Sequence, residues 1–397
     1  MDRCFVCYYH EITLKKNNRS FFEAALYRNA QQALKGIPYR RIRRLSGRLL
    51  VELEVDSPLE EVGSRLQKVF GLVSCCPSWS SGQDVERLRA DLWYLVRQQD
   101  FETFKIHTKR ANKKYPMTSP EVNALLGDFV RRKSKKTVQL KAPDLTCYVD
   151  IVEKYAFLYF SRLEGAKGLP VSSSGKVVVL ISGGIDSPVA AYKVMKRGCR
   201  AVFVHFHSLP HTTRESLEKV RQLVAVCNQY QFRSKLYMIP FAELQRQIVA
   251  YTPVGTRVIM YRRLMMRLAE RIAYRERALA LVTGDSIGQV ASQTLENIRV
   301  ISDACSMPIL RPLVGEDKEE IIAVARRIET FPISILPEED CCSLFVPRHP
   351  ETRAKLDGIR RVESCLNIEQ MVEDALKGIQ IETIQSQSPS AVEVVKN

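Results

Sequence analysis

The segment 177–187 constrains this chain more than any other. Val177-Val178-Val179-Leu180-Ile181 is the unbroken apolar run that a parallel strand covered on both faces requires. Ser182-Gly183-Gly184-Ile185-Asp186-Ser187 follows without a spacer, and a helical pattern begins at once with Pro188 in its first turn. A strand that turns through two glycines into a helix aims backbone N–H groups and the positive end of the helix at one spot, where Ser182 and Ser187 add hydroxyls. That spot suits a phosphate or pyrophosphate. The loop is not a Walker A loop, because the Gly-Lys-Ser/Thr ending is absent.

The flanking pattern alternates strand and helix. Strands are expected at Lys176–Ile181, Arg200–His207, Ser234–Ile239, Leu279–Thr283 and near Pro308–Leu313, with helices at Ser187–Arg197, Thr213–Gln229, Arg262–Arg277 and Lys318–Arg327. Such alternation predicts a parallel α/β sheet with helices on both faces. Beyond Cys365 a last helix and a frayed Ser/Gln-rich tail are expected.

Ahead of this region the pattern changes. Phe5–Ile12 and Arg48–Val55 read as strands, Arg19–Leu34 and Pro58–Phe70 as helices, together a small mixed domain. Helices at Val85–Gln98 and Ser119–Arg132 then alternate with strands at Thr103–Lys109, Thr137–Leu140 and Val149–Phe160. Between positions 101 and 145 stand 11 Lys and Arg against 4 Asp and Glu, so the middle region is basic. The Gly, Pro and Ser of 164–174 have linker composition. The expected division is 1–75, 76–165, a linker at 166–175, 176–385 and a flexible tail at 386–397.

A net charge of +16 favours a polyanionic partner, RNA, DNA or an anionic membrane surface. No apolar run approaches the roughly 20 residues of a membrane-spanning helix, and the start of the chain lacks the regions of a signal peptide. The cytoplasm is the expected compartment. Eleven cysteines at irregular spacing do not form a secreted disulfide framework, and most are expected as reduced thiols. Cys4 and Cys7 have metal-ligand spacing, but on a strand positions i and i+3 face opposite sides, so no metal is expected there.

The full string SGGIDS resembles the PP-loop of ATP pyrophosphatases, which cleave ATP between its α and β phosphates and adenylate a substrate. Further segments narrow the resemblance. They are TGDSIGQVASQT (283–294), RPLVGEDKEEII (311–322), EEDCCSLFVPRHPETR (338–353), FKIHTKRANKKYP (104–116), which looks like the core of a THUMP RNA-binding domain, and LKKNNRSFFE (14–23). Together, over about residues 5–355, they are similar to the tRNA 4-thiouridine synthetase (tRNA sulfurtransferase) family, in the form without a C-terminal rhodanese domain. The resemblance implies an N-terminal ferredoxin-like domain, a THUMP domain and a PP-loop pyrophosphatase domain. It implies ATP-dependent replacement of a tRNA uridine oxygen by sulfur, through O4 adenylation and attack by a cysteine persulfide.

Carried over position by position, the resemblance implies ATP contacts at Leu180, Ile181, Ser182, Gly183, Gly184, Asp186, Ser187, His205, Phe206, Arg262, Gly284 and Gln293. Mg2+ is expected with the ATP. Lys105, Lys109, Arg110, Lys113 and Lys114 are expected to hold RNA phosphates, the alternative being a solvated charged face. Cys341 is the expected persulfide carrier and Cys342 its neighbour in the motif, the alternative being two ordinary thiols. The resolving thiol stays open among Cys342, Cys199, Cys227 and an external thiol. The implied partners are tRNA, a cysteine desulfurase as sulfur source and a sulfur carrier protein of thiamine thiazole synthesis. A homodimer would let one subunit's basic domain present RNA to the other's active site. Two departures from the family pattern stand out: Asp285 and Ile287 where Glu and Leu are common, and Lys16-Asn17 where Gly-Lys is common. The rival readings are another PP-loop tRNA-modifying enzyme (a 2-thiolase or a ligase) and a non-catalytic RNA-binding protein.

Overall fold

The computed structural model describes residues 1–211, 213–337 and 350–386. The chain divides into two compact units, Met1–Pro170 and Val171–Asn397.

The first unit opens with β1 (Asp2–Tyr9), α1 (Arg19–Ala33), β2 (Arg41–Leu45), β3 (Arg48–Glu52), α2 (Leu59–Gln67) and β4 (Leu72–Ser81). It continues with α3 (Val85–Val96), β5 (Thr103–Arg110), α4 (Ser119–Ser134), β6 (Thr137–Val138), β7 (Leu145–Val152), β8 (Tyr155–Tyr159) and β9 (Leu163–Glu164). All nine strands join one sheet in the order β2-β3-β1-β4-β8-β7-β5-β6, with β9 beside β4. The two small α/β patterns read from the sequence therefore share a continuous sheet.

A buried ion pair helps join them: Arg48 on β3 gives two hydrogen bonds to Asp150 on β7, at 2.6 and 2.7 Å. Asp150 is fully buried, and Tyr8 and Arg48 share its carboxylate. The pairing specifies register, since either partner left alone would be an uncompensated buried charge. Strand β4 was not expected, because Ser74, Pro77 and Ser78 interrupt its apolar pattern. Its second edge is paired at Ser74–Cys75 by β9 and at Trp79–Ser81 by β8, so Pro77, which has no N–H to give, falls in the gap. The single strand expected over Val149–Phe160 is a hairpin of β7 and β8, turned at Glu153 with φ 50°. Cys7 packs on the α1 side of the sheet and Cys4 on the other, as the strand alternation required.

The second unit begins with β10 (Lys176–Leu180), α5 (Asp186–Lys196), β11 (Arg200–His207), α6 (Arg214–Gln231), β12 (Arg233–Pro240), α7 (Ala242–Tyr251) and α8 (Arg257–Glu276). Then come β13 (Leu281–Val282), α9 (Leu295–Ser302), β14 (Ile309–Leu310), α10 (Lys318–Arg327), α11 (Phe331–Ser334), α12 (Leu356–Glu363), α13 (Ile368–Lys377) and β15 (Gln380–Gln385). The sheet order is β14-β13-β10-β11-β12-β15, parallel except for β15, which runs antiparallel along β12. Beyond Cys365 the expected last helix is α13, and the first part of what reads as tail is an edge strand as far as Gln385.

From β10 the chain passes to β11 on one side, and only later returns to place β13 on the other. This reversal opens a crevice beyond the carboxyl ends of β10 and β13, the usual ligand position in an open α/β sheet. Helix α8 backs that crevice. It starts at Arg257, earlier than its expected start at Arg262, and buries Tyr261, Leu264 and Leu268 against Val178, Val204 and Phe206 of the sheet.

Candidate active site

The turn between β10 and α5 is closed by its own hydroxyls. Ser182 donates its N–H to Ser187 Oγ at 2.9 Å, and the Ser187 hydroxyl lies 3.3 Å from the Ser182 carbonyl. Helix α5 starts at Asp186, so its positive end opens on the crevice. Gly284, just past β13, presses against this start. A Cβ there would lie 2.9 Å from Ser187 N and 3.0 Å from Asp186 C, so no side chain fits. The Asp186 carboxylate accepts from Lys318 Nζ at 2.6 Å and Gln289 Nε2 at 2.9 Å. Lys318 stands at the start of α10 and was not among the expected site residues, although its segment was.

Beyond the loop lies a cavity of about 500 Å³. Ten of the twelve expected nucleotide positions line it: Leu180, Ile181, Ser182, Asp186, Ser187, His205, Phe206, Arg262, Gly284 and Gln293. Gly183 and Gly184 do not. They lie in the loop itself, where Gly184 N–H reaches Ser182 Oγ at 3.3 Å. His205 is fixed by its Nδ1, 3.0 Å from the Ile181 carbonyl, and Phe206 packs edge-on to Phe241. One wall was missed by sequence reasoning: Val258, Ile259, Met265 and Met266 of α8. With Arg262 they stand at helical spacing on one face, a signal that was available but reads equally well as ordinary core. The cavity thus joins an apolar wall of α8 to a polar end at the loop.

Asp285 closes the far side. It is 3% exposed, and four donors reach it. Oδ1 receives Arg262 Nη2 and, at 3.4 Å, Gln293 Nε2, while Oδ2 receives Thr283 Oγ1 at 2.7 Å and Arg311 Nε at 3.2 Å. Burial pushes the carboxyl pKa up, but Arg262, Thr283 and Arg311 outweigh it and hold the group below its ordinary value.

The comparisons with known proteins bear on the whole chain. The family model for thiamine biosynthesis protein (ThiI) matches residues 172–368, that for the ThiI ferredoxin-like domain residues 4–76 and that for the THUMP domain residues 85–161. A probable tRNA sulfurtransferase of Moorella thermoacetica is 43% identical over 381 residues, 96% of this chain and 97% of the relative. Another, from Thermus thermophilus, is 44% identical over 93% of this chain and 91% of its own. The chain belongs to the tRNA sulfurtransferase family. A crystal structure of a 4-thiouridine synthetase in complex with RNA and with bound ATP superposes with a TM-score of 0.89 at 34% identity, covering 97% of this chain and all of that one. The fold is therefore the tRNA sulfurtransferase fold: ferredoxin-like domain, THUMP domain and C-terminal α/β domain.

In the THUMP domain the five expected RNA cations do not form one loop cluster. Phe104, Ile106 and Thr108 of β5 point into the core, so Lys105, His107 and Lys109 alternate onto the opposite face of the sheet. His107 meets Tyr148 of β7 edge-on there. Tyr148 stacks on Tyr159 at 4.9 Å, with the Arg162 guanidinium 4.1 Å from the Tyr148 ring. Arg110 turns back to the Tyr115 carbonyl at 3.1 Å, and only Lys113 and Lys114 lie in the exposed turn that follows.

Cys341 and Cys342 lie outside the described residues. The chain leading to them is anchored at the loop. Ser334 Oγ donates to the Gly184 carbonyl at 3.3 Å, and Lys219 Nζ donates to the Leu336 carbonyl at 2.8 Å. On the other side of that segment Pro350 and Glu351 line the cavity. Of the thiols left open as resolving partners, Cys227 is buried in α6 and its pKa is pushed up to about 12 by burial, which removes it from thiolate chemistry. Cys199 is half-buried and also raised by burial. Among the described residues no cluster of His, Cys, Asp and Glu could hold a metal ion, and no helix is long and apolar enough to cross a membrane.

Proposed function

We propose that this protein makes 4-thiouridine in tRNA by ATP-dependent sulfur transfer. The observation that carries the reading is the convergence on one cavity of the PP-loop, the slot walled by His205, Phe206 and α8, and Pro350 and Glu351 at one end of the segment that bears Cys341 and Cys342, whose other end is held to the loop by Ser334 on Gly184. Pro337 is four residues from Cys341, and an extended chain reaches about 3.5 Å per residue, so the backbone of Cys341 is tethered within roughly 14 Å of Pro337.

In this reading adenine occupies the apolar slot, and the phosphates face Ser182, Gly183, Gly184, Ser187 and the start of α5. Asp186, at the loop, would be a carboxylate facing a Mg2+ that accompanies ATP, which would neutralise phosphate charge there, and Lys318, bonded to Asp186, would be a cation for the pyrophosphate. The uridine O4 attacks the α-phosphorus, pyrophosphate leaves, and C4 carries AMP as leaving group. The terminal sulfur of a Cys341 persulfide attacks C4 and expels AMP. A second thiol then attacks the Cys341 sulfur, so that the S–S bond breaks, sulfur stays on C4 and a disulfide forms on the protein. Cys342, Cys199 or an external thiol fits that role. Lys105 and Lys109, beside the Tyr148 and Arg162 stack, with Lys113 and Lys114, hold the tRNA backbone.

A cysteine desulfurase as sulfur source, a thiazole-pathway sulfur carrier as second acceptor, a homodimer and residence in the cytoplasm belong to the same proposal. So does the division at 75/76, 165/166 and 175/176, of which the linker alone gains support from the parting of the two compact units at Pro170.

The test measures adenylate and 4-thiouridine separately in Cys341→Ser, Cys342→Ser and Asp186→Ala. Cys341→Ser should form adenylate and no 4-thiouridine with a desulfurase as donor, whereas Asp186→Ala should form neither and still bind tRNA. Full desulfurase-dependent thiolation by Cys341→Ser would sink the assignment of the carrier. Loss in Cys342→Ser alone would move the assignment by one residue.

A further inference from the structure

Asp285 poses a chemical question, because a buried carboxylate beside a nucleotide cavity reads at first as a metal ligand. Its surroundings answer otherwise. An ionised carboxylate has about four acceptor sites. Here Arg262, Gln293, Thr283 and Arg311 take four, so no lone pair is left for a cation. The group is saturated by the protein.

The charge count of this cluster is unequal. Arg262 and Asp285 alone would form a neutral pair, and a neutral pair offers an anionic ligand little. Arg311 adds a second cation from behind. It is not among the residues that line the cavity, and its other end is pinned by a hydrogen bond to Ser302 Oγ at 2.8 Å. Two guanidinium groups on one carboxylate leave a net single positive charge at a nearly dry wall, where screening by water is weak. Asp285 and Arg262 both line the cavity, and Arg262 is the cation of the cluster that does so. Its side chain is 16% exposed, and a second bond to Ser292 Oγ at 3.0 Å fixes its plane. Among the described residues these two bonds use two of its five N–H donors, and the others can face a ligand.

We propose that Asp285 and Arg311 are positioning residues that hold the Arg262 guanidinium as a net-positive, preset group against a phosphate of the bound nucleotide. The inference rests on the nucleotide reading of the cavity and goes beyond it by dividing the ligand: Arg262 serves the anionic part and the α8 slot the base. A preset donor needs no reorganisation when charge shifts during attack on the α-phosphorus, so the arrangement serves the reaction as well as binding.

The experiment uses the full chain and three ligands, adenosine, AMP and ATP, titrated into the wild type, Arg311→Met and Arg311→Lys at one ionic strength. Weakening of a charge-assisted bond should lower AMP and ATP affinity about tenfold in Arg311→Met, leave adenosine within about twofold, and be largely restored in Arg311→Lys. A merely structural Arg311 would lower adenosine and AMP affinity together, with no rescue by lysine, and that result would overturn the inference. Unchanged AMP affinity in Arg311→Met would overturn it equally. Failure of the wild type to bind any of the three would instead reject the nucleotide reading of the cavity, and the inference with it.

Discussion

Gly284→Ala is the sharpest probe of the loop, because one methyl group is driven into backbone. The added Cβ would stand 2.9 Å from Ser187 N, 3.0 Å from Asp186 C and 3.1 Å from Asp186 Cβ, against an ordinary contact of about 3.5–4.0 Å. No flexible side chain can yield, so α5 and β13 must part by about 0.5–1 Å. Overpacking of this kind costs about 1–3 kcal/mol of stability. The displaced atoms are also those proposed to face the phosphates, and since each 1.4 kcal/mol is a factor of ten, ATP affinity should fall by about 10- to 100-fold. Gly315→Ala is the matched control, since nothing lies within 4 Å of its added Cβ and it should bind ATP as the wild type does. The assay is isothermal titration with ATP beside denaturant unfolding of both variants. If Gly284→Ala bound ATP within threefold of the wild type while remaining folded, the close approach of β13 to the loop would not matter for nucleotide binding, and the reasoning would fail.

Two further outcomes can be measured. Replacing Lys105, Lys109, Lys113 and Lys114 by glutamine should weaken tRNA binding and flatten the slope of log affinity against log salt by about 0.7–0.9 for each phosphate no longer neutralised, and an unchanged slope would move the RNA face elsewhere. Glu276, at the end of the second unit's sheet remote from the cavity, is opposed by burial but bonded by Lys235, Tyr237 and Lys176, which bring its pKa to about 2. A carboxylate held below its ordinary value stabilises the fold above that ordinary value and loses its contribution as pH falls through the folded one. Glu276→Gln should therefore lower stability near neutral pH and reduce the acid-induced loss between about pH 4.5 and about pH 2. Equal pH dependence of the two proteins across that window would contradict the network.

Much of the site was legible because its signals are local. A buried parallel strand needs an apolar run, a tight turn into a helix needs small residues, and Val177–Ser187 supplies both within eleven positions. The α5, β11 and α10 segments were readable for the same reason: each carries its own period. What could not be read is what depends on partners far along the chain. Gln380–Gln385 alternates polar residues and looks like tail, and it becomes a strand only because β12 offers an open edge that needs covering. Pro77 argues against a strand until the gap between β8 and β9 is seen. Lys105 and Lys109 were grouped with Arg110, Lys113 and Lys114 by proximity in sequence, but strand alternation and the Tyr115 carbonyl divide them.

The sequence by itself determined that a phosphate-type loop sits between a strand and a helix, that a basic region precedes it, and which family the motifs resemble, since all of these are patterns of neighbours in the chain. Tertiary structure alone decided that Arg311, 26 residues from Asp285 and 49 from Arg262, completes one charge cluster with them, and that Gly284 must stay bare because it meets Ser187. Charge balance and van der Waals exclusion act over a few ångströms of space, and only the packed fold brings such residues within that range.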